Sequence, residues 1–179
     1  MMAHIIKVCT ALNRHLLYHQ AMLFLVKSGP KNQVRGRRRL NAELITSLKE
    51  VVGKGGYLDG DDVGERYYTD PRGVGDNQPS LILRPATTEE LSEIMKLCHA
   101  AGQGVVAQGG MTGLVSGARP EDSELPISFE RMNGIDELDS RTSTMTVQSG
   151  TPLQAIQEQA DAQGFLFPLD LGARGSCSI

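Results

Sequence analysis

From Asn41 onward the apolar positions recur with helical spacing. Leu44, Leu48, Val51 and Val52 share one face, and Gly53, Gly55 and Gly56 end the run, which predicts a helix. A polar stretch rich in Asp and Gly follows, running through Tyr67, Asp70 and Gly73, and reads as a loop. Ser80 to Leu83 is a short apolar run suited to a buried strand, closed by Pro85. Thr87 with Glu90 three residues on makes a capping box, which satisfies backbone donors at a helix start. Leu91, Ile94, Met95 and Cys98 then form an i, i+3, i+4, i+7 stripe ending at Gly102. On that stripe Cys98 reads as a core residue in preference to a reactive thiol, and His99 falls on the solvent side. Val105 to Ala107 is a second short strand that runs straight into a glycine-rich loop, Gln108 to Gly117. Pro126 to Phe129 and Thr144 to Gln148 read as further strands. Leu153, Ile156 and Ala160 mark a helix ending at Gly164, and an apolar strip from Phe165 to Leu169 leads to Gly172 and Gly175. Strand, helix, strand, glycine loop is the order of an α/β nucleotide-binding unit.

The charge pattern divides the chain near residue 40. Eight of the 18 Lys and Arg residues lie in residues 1–40, which hold no acid; the remaining ten face all 21 Asp and Glu residues, a formal −11 for residues 41–179. Nucleic-acid binding by this acidic body is excluded, because phosphate affinity rests on clustered Lys and Arg. The basic run Arg35 to Arg39 is either solvated or a contact for RNA or anionic lipid. Leu16 to Val26 is apolar but too short for a membrane span of about 20 residues. Residues 1–40 therefore read as an extension outside the fold, either disordered or non-native, or a targeting segment of transit-peptide character. The expected location is cytoplasmic, or mitochondrial if that segment is a transit peptide. Cys9, Cys98 and Cys177 are widely spaced and His4, His15, His19 and His99 form no cluster, so no disulfide framework or metal site is expected.

Two glycine clusters carry the candidate chemistry. Glycines let a backbone approach an anion closely and adopt positive φ, so that N–H groups converge on it. No Lys or Arg lies between Gln108 and Gly117, so phosphate binding there would depend on backbone dipoles and the Thr112 hydroxyl. A Walker A loop is excluded, since no Gly-Lys-Ser/Thr occurs. A Rossmann fingerprint is excluded too: Gly110-Met111-Thr112-Gly113 has the wrong spacing and no helix is predicted after it.

The stretch Gln108 to Gly117 resembles the pyrophosphate loop of the vanillyl-alcohol-oxidase (PCMH-type) FAD-binding family. Pro168 to Ile179 resembles that family's second FAD segment in the branch of D-2-hydroxyglutarate dehydrogenase, D-lactate dehydrogenase and the glycolate oxidase FAD subunit. Arg84 to Glu90 and Glu130 to Asn133 share in the resemblance, which spans roughly residues 41–179. It implies an α+β fold, a PCMH-type FAD-binding domain of two small α/β subdomains, of which residues 41–179 would be the N-terminal portion, incomplete at the C-terminus. By position, Gly109, Gly110, Met111, Thr112 and Gly113, with Leu114 beside them, would hold the pyrophosphate. Pro168, Leu171, Gly172, Gly175, Ser176 and Ile179 would line the cofactor further along, with Cys177 packed under that segment. Met111 stands where the family usually has Asn, and Ser116 and Ala118-Arg119 also depart from the commoner small residues. No His lies in either loop, so FAD would be non-covalent.

The resemblance further implies oxidation of a D-2-hydroxy acid to the 2-oxo acid, with electrons passing to an acceptor that the sequence does not name. No catalytic residue is assigned, because the family's base and carboxylate-binding groups come from parts beyond Ile179. The chain alone is expected to bind flavin weakly and to show no turnover. A non-catalytic phosphate-ligand module, or an inactive truncated product, is the alternative.

Overall fold

The computed structural model describes residues 4–5, 7–10 and 40–179. In chain order its elements are β1 (His4–Ile5), β2 (Lys7–Thr10), α1 (Ala42–Val52), β3 (Tyr57–Asp59), β4 (Leu81–Leu83), α2 (Thr88–Ala101) and β5 (Gly104–Gln108). Then come β6 (Glu124–Ser128), β7 (Ile135–Asp139), β8 (Thr144–Val147), α3 (Leu153–Ala162) and β9 (Phe165–Leu166), with 3-10 turns at Gly60–Asp62 and Glu65–Tyr67.

The first sheet has the order β3-β4-β6-β5. β4, β6 and β5 run parallel and β3 pairs antiparallel at the edge. Its helices form where their signals lie. Asn41 Oδ1 accepts from Glu43 N at 3.0 Å to start α1, and Gly53 ends it at φ 63. The Thr87 hydroxyl accepts from Glu90 N at 3.1 Å, while the Glu90 carboxylate reaches back to accept from Ala86 N at 2.7 Å, one residue beyond the usual capping-box partner. Gly102, left-handed at φ 64, closes α2. Leu44, Leu48 and Val52 from α1 and Ile94 and Cys98 from α2 pack on Leu81, Leu83, Leu125 and Ile127. Ile82 packs instead with Val63 and Tyr67, so β4 is covered on both faces. That double cover is why its sequence reads as an unbroken apolar run.

The second unit is the sheet β2-β8-β7, with α3 and the β1-β9 pair beside it. Its own core is Met145, Val147, Ile156 and Ala160, flanked by Leu138, Phe165 and Ile179. Two sheets with separate cores match the expected pair of small α/β subdomains.

Three differences from the sequence reading stand out. The reading set residues 1–40 outside the fold, yet Lys7–Thr10 lies parallel to Thr144–Val147 and His4–Ile5 parallel to Phe165–Leu166. Backbone pairing needs no particular side chains, so composition gave no hint of it. The rest of that stretch, including Leu16 to Val26 and Arg35 to Arg39, lies outside the described residues. β3 was read as part of the polar loop because its three residues are only half-buried. β7 was missed because Ile135–Asp139 carries three acids in five residues on a partly exposed edge. Among the described residues no helix is long and apolar enough to cross a membrane.

Cys98 is 1% exposed, and burial pushes its thiol up to about 11. Iodoacetamide at pH 8 should therefore leave Cys98 unmodified in the native protein and modify it after denaturation, read by peptide mass mapping. Rapid native labelling would show that α2 does not pack as described.

Candidate functional site

β5 ends at Gln108 and β6 at Ser128, so the glycine loop leaves the sheet at the carboxyl edge of its parallel strands. Ligands of α/β sheets gather at that edge, where loops rather than strands set the surface. A cleft of about 390 Å³ opens there. Gly109, Gly110 and Met111 form one wall, and Ser176 and Ser178 another. Ser128, Glu130, Asn133, Gly150 and Pro152, with Arg66 and Tyr67, complete its lining.

The two loops singled out in the sequence, about fifty residues apart, meet in this cleft. A Cβ on Gly110 would fall 1.7 Å from the Ser176 carbonyl oxygen, and one on Gly109 would fall 2.2 Å from the Ser178 hydroxyl. Neither glycine has positive φ; the positive φ values in the loop belong to Met111 (55°) and Ser116 (61°). The expectation that these glycines supply left-handed backbone is corrected: Gly109 and Gly110 are needed for close approach. Gly113 and Gly117 have open space around them. At Met111 a left-handed backbone costs about 1 kcal/mol for an ordinary side chain and less for Asn, which tolerates that region.

Among the described residues, no backbone N–H from Gly110 to Val115 is committed to a protein acceptor. The loop thus presents a run of unspent donors, which fits an anion such as a diphosphate. Its base is fixed by Gln108, 1% exposed, whose amide donates to the carbonyls of Tyr67 at 2.7 Å and Ala118 at 3.0 Å. The bond to Ala118 joins the loop's entry to its exit, and the bond to Tyr67 ties the entry to the 3-10 turn Glu65–Tyr67.

Its outer limb is fixed by charge. Asp70, buried, accepts from Arg72 N at 2.9 Å, from Arg72 Nε at 3.1 Å and from the Ser116 hydroxyl at 3.1 Å. A second guanidinium nitrogen of Arg72 also pairs with Asp70 and donates to the Ser116 hydroxyl at 2.7 Å. The Arg72 guanidinium holds the Asp70 carboxyl well below the usual carboxylate range, with the backbone donors and Ser116 adding to it. Ser116, noted as a departure from the family pattern, is therefore the point where this clamp grips the loop.

The opposite wall depends on α3. Its N-cap, Pro152, offers no side-chain acceptor. The first free N–H groups instead donate to the terminal segment: Leu153 N to Cys177 O and Gln154 N to Arg174 O, both at 2.9 Å. Pro152 and Ser178 form an antiparallel bridge, and Ile179 N donates to Thr151 O at 3.2 Å. The segment carrying Ser176 and Ser178 is held against α3 by helix capping.

Of the residues assigned by resemblance, Gly109, Gly110, Met111 and Ser176 line the cleft. Thr112, Gly113 and Leu114 continue the same loop, with Leu114 mostly exposed. Pro168, Leu171, Gly172 and Gly175 lie on the exposed part of the terminal segment, outside the cleft lining. Cys177 is buried beneath it, as expected, and Ile179 packs on the core of the second unit. Sequence reading missed Arg66, Tyr67, Asp70 and Glu130. Arg66 pairs with Glu130, whose carboxylate also accepts from Tyr67 Oη at 2.8 Å and Arg84 Nη1 at 2.9 Å. Glu130 lay within a segment quoted for resemblance, and that was its only signal. A larger cavity of about 590 Å³ lies at the opposite, amino edge of the sheet between Ser80-Leu81 and Glu124. It offers acids and no glycine cradle, so the smaller cleft is the candidate site.

An α+β pair of units with an unspent-donor loop at the carboxyl edge of parallel strands is an arrangement suited to nucleotide phosphate. The sequence pattern of the FAD binding domain family matches residues 79–179, and the chain belongs to that family. Among similar proteins, a Schizosaccharomyces pombe protein provisionally named a mitochondrial D-lactate dehydrogenase is 35% identical over 152 residues, covering 79% of this chain and 28% of its own length. The mitochondrial D-2-hydroxyglutarate dehydrogenase of Arabidopsis thaliana is 33% identical over 140 residues, covering 78% of this chain and 25% of its own. That of Bos taurus is 38% identical over 99 residues, covering 55% of this chain and 18% of its own. The chain thus spans about a quarter of the length of such relatives. Among solved structures, alkyldihydroxyacetonephosphate synthase superposes with a TM-score of 0.70 at 20% identity, covering 84% of this chain and 31% of that one. A berberine bridge enzyme variant superposes with a TM-score of 0.57 at 17% identity, covering 70% and 27%. These two likenesses establish the fold.

Two outcomes are expected from this geometry. Gly110→Ala should lower stability by about 1–3 kcal/mol, because the new methyl group would run into the Ser176–Cys177 backbone. Gly113→Ala, in open space, should change stability by less than about 0.5 kcal/mol; equal urea midpoints for the two variants would refute the close-approach argument. For Asp70, the depressed value in the fold means its stabilisation is complete above the ordinary carboxylate range and is lost as pH falls through the folded value. Wild type should therefore lose stability as pH drops below about 5, and Asp70→Asn, weaker at pH 7, should lose less over the same interval. Parallel pH profiles for the two proteins would remove the clamp.

Proposed function

We propose that this chain is the FAD-binding part of a flavin-dependent dehydrogenase that oxidises a D-2-hydroxy acid to the 2-oxo acid. The observation carrying the proposal is the meeting of Gly109-Gly110 with Ser176–Ser178 across one cleft. Two segments read separately as FAD contacts converge there, and the loop's backbone N–H groups from Gly110 to Val115 have no protein acceptor among the described residues. The named relatives supply the substrate class, 2-hydroxyglutarate or lactate.

In this reading the N–H groups of Gly110 to Gly113 hold the pyrophosphate, and Ser176 and Ser178 offer hydroxyls from the facing wall. Gln108 and the Asp70–Arg72–Ser116 clamp keep those donors aimed before the cofactor arrives, which spares the loop an ordering cost on binding. FAD when bound supplies the hydride acceptor for the substrate α-carbon. Neither loop contains His, which supports non-covalent attachment. No residue of this chain is assigned to proton abstraction or to the substrate carboxylate. The word mitochondrial in the names of these relatives supports a mitochondrial location over a cytoplasmic one.

Titration of the chain with FAD, followed by flavin fluorescence, should give saturable quenching that ADP reverses, while D-2-hydroxyglutarate and D-lactate give no turnover with the chain alone. Flavin fluorescence indifferent to the protein, with no ADP binding by calorimetry, would defeat the proposal.

A further inference from the structure

The glycine loop carries no cation, but the fold brings one to it. Arg66 sits on the 3-10 turn Glu65–Tyr67 and lines the same cleft as Gly109, Gly110 and Met111. Its guanidinium lies over the Tyr67 ring at 4.5 Å and donates to Tyr67 Oη at 2.6 Å. It also pairs with Glu130, the one carboxylate in the cleft lining.

Glu130 is served twice. Arg84, with its side chain 21% exposed, donates to the same carboxylate and is anchored in turn on the Gly55 carbonyl at 2.7 Å. Tyr67 Oη adds a third donor. One carboxylate thus faces two guanidinium groups, and the cluster carries a surplus positive charge. The two arginines differ in setting. Arg84 is enclosed and tied to the backbone, whereas the Arg66 side chain is 67% exposed and reaches the cleft from a short turn. A guanidinium has five donors in a planar fork, so it can keep one carboxylate contact and still engage a second anion.

We propose that Arg66 is a diphosphate-binding residue, positioned by Glu130 and Tyr67, which supplies the point charge missing from the glycine loop. The inference rests on the FAD reading above and extends it to a residue outside either glycine segment. In the unliganded protein Glu130 orients Arg66 and offsets its charge. When a diphosphate occupies the loop, Arg66 turns donors toward it, and Arg84 and Tyr67 keep Glu130 satisfied. Glu130 is then a competitor for Arg66 as well as its guide. The two side chains should therefore have opposite effects on affinity.

Calorimetric titration of the whole chain with ADP, and with adenosine as the phosphate-free probe, tests this. Arg66→Gln should weaken ADP binding by about tenfold, as expected for a lost charge-assisted contact to phosphate, and leave adenosine binding unchanged. Arg66→Lys should recover part of the loss. Glu130→Gln should tighten ADP binding, most at low salt, because the competing charge is gone. If Arg66 only braces the fold, Arg66→Gln and Glu130→Gln will both lower the melting temperature and will weaken ADP and adenosine alike; that outcome overturns the proposal. Should Arg66→Gln fail to fold by circular dichroism, the sign of the Glu130→Gln effect on ADP and the Arg66→Lys affinity decide. Wild-type protein that binds ADP, with Arg66→Gln its equal, removes Arg66 alone and leaves the FAD reading standing. Wild-type protein that binds neither ADP nor FAD overturns both.

Discussion

The contact on which this architecture turns is the approach of the Gly109-Gly110 backbone to Ser176–Ser178, closer than any side chain would allow. On one side stands the loop that leaves β5, rooted in the core of the first sheet. On the other stands a segment whose carbonyls cap α3, rooted in the core of the second unit. The cleft exists because these separately built walls are brought within van der Waals distance at one place and diverge from there. A similar constraint holds elsewhere in the cleft lining, where a Cβ on Gly150 would fall 2.0 Å from the Phe129 carbonyl oxygen. Thr151 beside it bonds Gly134 in both directions, accepting from its N–H at 3.0 Å and donating to its carbonyl at 2.8 Å. Close backbone packing at two points, each requiring glycine, sets the relation of loop to terminal segment more sharply than side-chain packing could.

Charge works against anion binding at long range and for it at short range. Residues 41–179 carry a formal −11. That field is screened over about 8 Å at physiological salt, so acids on the far surfaces weigh little in the cleft. The one carboxylate in its lining, Glu130, is matched by Arg66 and Arg84, and the loop adds backbone N–H groups without a protein acceptor. The acidic cavity at the amino edge of the sheet lies at the other end of the strands and takes no part in this balance.

How much of this could be read from the chain alone depended on the range of the interaction. The helices were legible because their evidence is local: Thr87 with Glu90, the stripe from Leu91 to Cys98, and Gly102 all lie within one element. Strands buried on one or both faces, such as Leu81–Leu83, were legible by their apolar runs. β3 and β7 were not, since a half-buried edge strand shows little pattern. The glycine clusters identified the site, but for a partly mistaken reason, because what Gly109 and Gly110 avoid is a segment sixty-odd residues away. The pairings of Arg66 with Glu130 and of Asp70 with Ser116 span separations of 64 and 46 residues. Nothing about either residue alone distinguishes it from a solvated surface charge.

Met111 shows how these constraints combine. It takes a left-handed backbone, as Ser116 does, so each limb of the loop has one L-residue in a conformation it resists. Ser116 is held there by Arg72 and Asp70 through its hydroxyl. Among the described residues Met111 has no side-chain hydrogen bond of that kind, and the residue beside it, Gly110, makes the close approach to Ser176. The strain of about 1 kcal/mol at Met111 is thus set against the same close approach that joins the two walls. An Asn at that position would relieve the strain. With Met, the cost of the left-handed backbone falls at the residue next to the close approach, so loop shape and wall spacing are set at adjacent positions.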